Sequence, residues 1–116
     1  MDRSTRACVA FVSARAIAGR RSSHIYDYSQ RRYVALGGEV ASPSVNVFDY
    51  ERGCYFSGQL PSLFDYGVRA HVSLHISNGT FSGFDYGSGH HFSGSVSGGS
   101  VSLYDYGESK YFSFAL

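Results

Sequence analysis

Residues 102–114 read SLYDYGESKYFSF, residues 82–94 read SGFDYGSGHHFSG, and residues 62–74 read SLFDYGVRAHVSL. The three stretches share one plan: an aromatic-Asp-Tyr triplet, a polar loop, then an aromatic or His, an apolar residue and a Ser. Two earlier triplets, Tyr26-Asp27-Tyr28 and Phe48-Asp49-Tyr50, extend the series to five. Each Asp is followed six residues later by Tyr33, Tyr55, His71, His91 or Tyr111, and the successive Asp residues lie 22, 16, 20 and 20 apart. A recurring unit of this length is one supersecondary element that buries its apolar face against its neighbours.

Each unit reads as two short strands around a four-residue loop: SQRR, ERGC, GVRA, GSGH and GESK. The units are joined by Gln59-Leu60-Pro61-Ser62, Ser77-Asn78-Gly79-Thr80 and Ser97-Gly98-Gly99-Ser100, the last two with the Asn-Gly and Gly-Gly pairs of tight hairpins. Only Gly37 to Pro43 looks irregular. Folding the last unit about its loop pairs Tyr106 with Tyr111, Asp105 with Phe112 and Leu103 with Phe114. Opposed residues share a face and alternate residues switch faces. One face then collects Ile25, Val34, Leu36, Val47, Phe56, Leu63, Val72, Leu74, Phe81, Phe92, Val101, Leu103, Phe112 and Phe114, together with every triplet Asp. The expected fold is all-β: a ten-stranded antiparallel meander of five hairpin repeats, closed or nearly closed into a barrel, with a two-sheet sandwich as the alternative. Closure removes the edges that an open sheet must protect.

The run Ser102 to Gly107, with its near copies Ser62 to Gly67 and Ser82 to Gly87, resembles a group of small bacterial proteins built from repeated Tyr-Asp-Tyr-Gly hairpins. The resemblance covers roughly residues 23–116. It implies an all-β bacterial protein, and since the group has no established function it transfers no catalytic residue.

Residues 1–21 form a basic, Ala-rich head apart from the single β-repeat domain of residues 22–116. The head reads as a short helix packed on the sheet, able to plug one barrel mouth, or as a weak leader. Compartment stays open between cytoplasmic and secreted. Residues 1–32 hold seven Arg against Asp2 and Asp27, a balance of +5, and the remainder holds three cations against seven acids, a balance of −4. A basic head on an acidic body fits an anionic partner, a leader, or a head docked on its own body. Cys8 and Cys54 are too far apart for a metal spacing and read as free thiols. No apolar run reaches the ~20 residues of a membrane helix, and too few basic residues lie on the strands for a nucleic-acid surface.

Two features bear on function. Asp27, Asp49, Asp65, Asp85 and Asp105 face the core at the loop end of each hairpin. In a barrel they ring one mouth, where they either bind Ca²⁺ or another divalent cation or cap their turns by accepting loop N–H bonds. On the opposite face lie Tyr28, Tyr50, Tyr66, Tyr86 and Tyr106, joined by Tyr33, Tyr55 and Tyr111. A band of exposed rings is a binding or oligomer surface. The residues favour a non-catalytic binding protein that uses this tyrosine-rich face or the barrel mouth for a glycan, a small apolar ligand or self-association, with no resident cofactor. The alternative is a small, cation-dependent hydrolase using His71, His91, Asp65 and Asp85, although Asp and His fall on opposite faces.

Overall fold

The computed structural model describes residues 1–116. A helix, α1 (Arg3–Ala18), precedes ten strands: β1 (His24–Asp27), β2 (Arg32–Ala41), β3 (Ser44–Asp49), β4 (Cys54–Gln59), β5 (Ser62–Asp65), β6 (Ala70–Ser77), β7 (Thr80–Asp85), β8 (His90–Ser97), β9 (Ser100–Asp105) and β10 (Lys110–Ala115). Each strand pairs antiparallel with its chain neighbours, and β1 pairs with β10, so the meander closes into a barrel. The sandwich alternative therefore falls.

Closure follows the repeat. The Tyr after each triplet Asp donates its backbone N–H to a carbonyl in the preceding unit. Tyr66 bonds Tyr55 at 3.1 Å, Tyr86 bonds His71 at 3.0 Å and Tyr106 bonds His91 at 3.1 Å. Tyr28 does the same to Ser113 of the last unit at 3.1 Å, so the first hairpin treats the fifth as its predecessor. The five hairpins thus form a ring without an edge strand.

The strand faces are those the alternation predicts, but the hairpin register differs by two residues. Tyr111 pairs with Tyr104 and Phe112 with Leu103, where the folded sequence set Tyr111 against Tyr106. A shift of two leaves every side chain on its own face. The cause is the loop, which begins one residue earlier than the sequence suggests and spans 28–31, 50–53, 66–69, 86–89 and 106–109. Its last residue adopts a left-handed conformation in every copy: Arg31, Gly53, Arg69, Gly89 and Ser109 have φ between 55° and 75°. The stretch from Gly37 to Ala41 is not irregular but continues β2. Gly38, at φ 105°, supplies the backbone freedom that this strand needs there. The turns at Ser42-Pro43 and Leu60-Pro61 each contain a cis peptide bond.

The helix departs furthest from expectation. It does pack on the sheet, but on its inner face, and it fills the lumen where the sequence suggested at most a plug in one mouth. Ala7 to Val12, Ala14 and the inward strand residues form one core cluster, so head and repeats share a single interior. Ten tilted strands leave a lumen about as wide as a helix with its side chains, ~10–12 Å. A helix enclosed on all sides should be apolar all round, and α1 is buried continuously from Thr5 to Arg15. Asp2 caps its start, accepting from Ser4 N at 3.1 Å and Thr5 N at 3.3 Å, and Gly19 ends it in the left-handed conformation at φ 70°.

Candidate functional site

The five triplet Asp residues surround the first turn of α1, and each is at most 2% exposed. In every copy Oδ1 accepts the N–H two residues on: from Ser29 at 2.9 Å, Glu51 at 2.9 Å, Gly67 at 2.8 Å, Gly87 at 3.0 Å and Gly107 at 2.9 Å. This is the turn-capping bond, made five times. The second oxygen is used differently from unit to unit. Asp27 Oδ2 takes Gln30 Nε2 at 2.7 Å. Asp49 Oδ2 takes Arg52 Nε at 2.6 Å. Asp65 binds the same Arg52 through Nη1 and Nη2 at 2.9 and 3.1 Å and accepts from the Thr5 hydroxyl at 2.6 Å. Asp105 Oδ2 faces the Met1 amine at 3.1 Å and Arg6 Nη1 at 3.4 Å. Only Asp85 has no protein donor on Oδ2.

The carboxylates therefore do not converge. The helix stands between them, its positive N-terminal end facing the ring, a favourable arrangement of dipole and charge. No three His, Cys, Asp or Glu side chains are grouped to share a metal ion. The cations that meet the Asp residues are the chain's own, and one of them, Arg6, brings the basic head onto Asp105 of the acidic body. Arg52, in the second loop, is the main one. Burial opposes its charge, but hydrogen bonds to Asp65 and Asp49 outweigh this and hold its pKa above the ordinary Arg value. Arg6 lies flat on the Phe112 ring, 3.4 Å from its centroid, with Nε unpartnered. Reading the sequence alone misses Arg52, Arg6 and Thr5. The available signal was five inward acids, which require buried donors.

Cys8 sits beside Arg52, Sγ to Nη2 3.6 Å, and burial pushes its thiol well above the usual range. Both cysteines are free thiols.

The Asp/His pairing needed by a hydrolase is not assembled. Asp65 and Asp85 lie inside the wall, whereas His71 and His91 are exposed on its outer face, opposite Phe64 and Phe84.

On that outer face the aromatics form five repeated clusters. A half-buried central ring (Tyr26, Phe48, Phe64, Phe84 or Tyr104) is met edge-on by the triplet Tyr and by the residue at the matching position of the second strand. Centroids are 4.7–5.2 Å apart and planes cross at 66–77°. Such T-shaped contacts are attractive and hold the rings in place. The eight flanking tyrosines named above remain 48–70% exposed. Away from this belt the outward positions are mostly Ser and Thr, with Ala35, Glu39, Ala41, Asn46, Gln59 and His75 among them.

No protein-family model matches the chain, no curated protein is significantly similar to it, and no solved structure matches it. No helix is long and apolar enough to cross a membrane.

Proposed function

We propose that this protein is a non-catalytic binding module whose outer tyrosine belt takes a neutral glycan. The observation that carries the reading is the exposure of eight tyrosines held in edge-to-face clusters around the barrel. The edge-to-face contacts stabilise the sheet, and a contiguous band of exposed rings is in addition the mark of an interaction surface. Rings fixed by their neighbours lose little entropy when a ligand stacks on them. Tyrosine offers an apolar face to the C–H side of a sugar and a hydroxyl to its rim. The barrel mouth ringed by Asp, the other candidate, is taken up by the first turn of α1, which leaves the outside of the wall. Imidazoles at His71 and His91 replace two of the flanking rings and keep the same planar, hydrogen-bonding character.

The chain has ten Tyr and no Trp, so its ultraviolet fluorescence comes from tyrosine alone. Titration with neutral oligosaccharides should change that emission saturably. Alanine at Tyr66, Tyr106 and Tyr111 together should abolish the change while the circular dichroism stays as in the parent. If no saccharide alters the emission and sedimentation finds dimers that the same triple variant dissociates, the belt is a self-association surface and the glycan reading fails.

A further inference from the structure

Three shallow grooves on the outer wall merge into one channel. The first is lined by residues of β6 to β8 together with Tyr106, the second by β7 to β10 with Tyr106, and the third by β8 to β10 with Tyr28. The first two share Ser82, Ser93 and Tyr106, and the second and third share Ser95 and Ser102. The channel thus crosses five strands, a span of ~19 Å at ~4.8 Å per strand.

Gly83 and Gly94 face the core opposite Phe92 and Phe81 in the β7–β8 pair. β-carbons there would collide with the Ser73 and Ser102 carbonyl oxygens of the adjoining strands as well as with the Phe92 and Phe81 rings, so both positions are closed to a side chain, and their backbone lines the channel outside.

Serine hydroxyls and aromatic rings dominate the channel's lining, with His75, His90 and His91 in the first groove. No Asp, Glu, Lys or Arg lines any of the three grooves. The hydroxyls of Ser82, Ser93, Ser95 and Ser102 make no hydrogen bond to protein, in contrast to Ser73 Oγ, which accepts from Phe84 N at 3.0 Å. Free hydroxyls on an uncharged floor, beside upright tyrosine rings, complement a ligand that is itself uncharged, hydroxylated and partly apolar.

We infer that this channel is an extended subsite for a linear neutral oligosaccharide, several sugar units long, lying across β6 to β10. The inference rests on the glycan reading of the belt and adds chain length and position to it. A terminal monosaccharide would use one ring cluster, whereas a linear chain uses Tyr106, the serine floor and Tyr28 in turn.

The test is isothermal titration of the whole protein with the disaccharide and hexasaccharide of the cello, xylo, malto and chito series. A Ser82→Leu/Ser93→Leu variant fills the floor, and Ser44→Leu, an outward serine of β3 away from the channel, controls for folding. The expected result is a hexasaccharide of one series bound at least ~10-fold more tightly than its disaccharide, a gain lost in Ser82→Leu/Ser93→Leu and kept in Ser44→Leu. Equal affinity for both lengths, or a gain that survives the double variant, overturns the channel and leaves the tyrosine belt as the site. Failure of every saccharide to bind overturns both.

Discussion

The guanidinium of Arg52 grips the carboxylate of Asp65 across the boundary between the second and third hairpins, with N–O distances of 2.9 and 3.1 Å. Its Nε binds Asp49 of its own hairpin at 2.6 Å. One side chain therefore neutralises two inward acids, joins two repeats and lies over the helix beside Cys8. A bidentate Arg pair has a geometry that Lys cannot reproduce. Arg52→Met leaves two buried carboxylates without their cation, and breaking a buried pair this way costs about 3–5 kcal/mol. Arg52→Lys should fall between the variant and the parent. Urea denaturation curves would rank the three, and equal midpoints would show that Arg52 is dispensable.

The five Asp residues are unequal despite their shared motif. The Asp85 carboxylate accepts only from Gly87 N, so Asp85→Ala should cost about 1 kcal/mol, the usual worth of one hydrogen bond. Asp85→Asn, which still accepts at that position, should cost less. Asp65→Ala removes bonds to Gly67, Val68, Thr5 and Arg52 and should cost at least ~3 kcal/mol. Melting in EDTA and in millimolar Ca²⁺ should give the same midpoint. A cation-dependent rise of several degrees would show instead that the Asp ring binds an ion.

Loop geometry gives a prediction that involves the backbone alone. A β-carbon at Gly89 would meet nothing within 4 Å, so Gly89→Ala tests only the left-handed conformation at φ 75°. It should destabilise by about 1 kcal/mol. Arg69 and Ser109 hold the same position with φ of 58° and 56°, and Arg69→Gly and Ser109→Gly should stabilise by up to about 1 kcal/mol. A destabilising result for both would mean that their side chains matter more than their backbone.

These loops also mark where the sequence stops being informative. The repeat, the two strand faces, the ten strands and the ring of inward Asp are all legible, because alternation and spacing carry them. The register was not legible, since only Gly53 and Gly89 among the five left-handed positions are glycine; Arg31, Arg69 and Ser109 conceal the turn. The helix was recognisable, but its place was not. Ala7 to Ala14 reads as leader-like because a helix buried on all sides lacks a polar stripe, and the lumen that receives it is set by strand number and tilt, which no local pattern encodes. Arg6 and Arg15 look out of place in an apolar segment until the Asp ring and the Gly38 carbonyl, 3.3 Å from Arg15 Nη1, are known.

The cysteines give a pH dependence. Burial raises the Cys8 thiol far above its ordinary value of 9.0. The folded state then keeps a proton that the unfolded chain releases. The associated stability is complete below pH ~9 and falls as pH rises beyond it, by up to about 1.4 kcal/mol per unit. Cys8→Ala should flatten that fall, as measured by urea midpoints between pH 8 and 10.5. A thiol reagent at pH 8 should label half-buried Cys54 in the native protein and Cys8 only after unfolding. Native labelling of both would mean that the helix leaves the lumen readily.

A barrel filled by its own helix leaves the outer wall for binding, and one nuclear magnetic resonance titration addresses that directly. With a saturating neutral oligosaccharide, the ring signals of the exposed tyrosines, Tyr106 and Tyr111 among them, should move, while the amides of α1 and the rings of Phe11 and Phe56 stay fixed. Shifts concentrated in α1 and the inward phenylalanines, with the tyrosine belt unchanged, would contradict the account, because the ligand would then be entering the lumen.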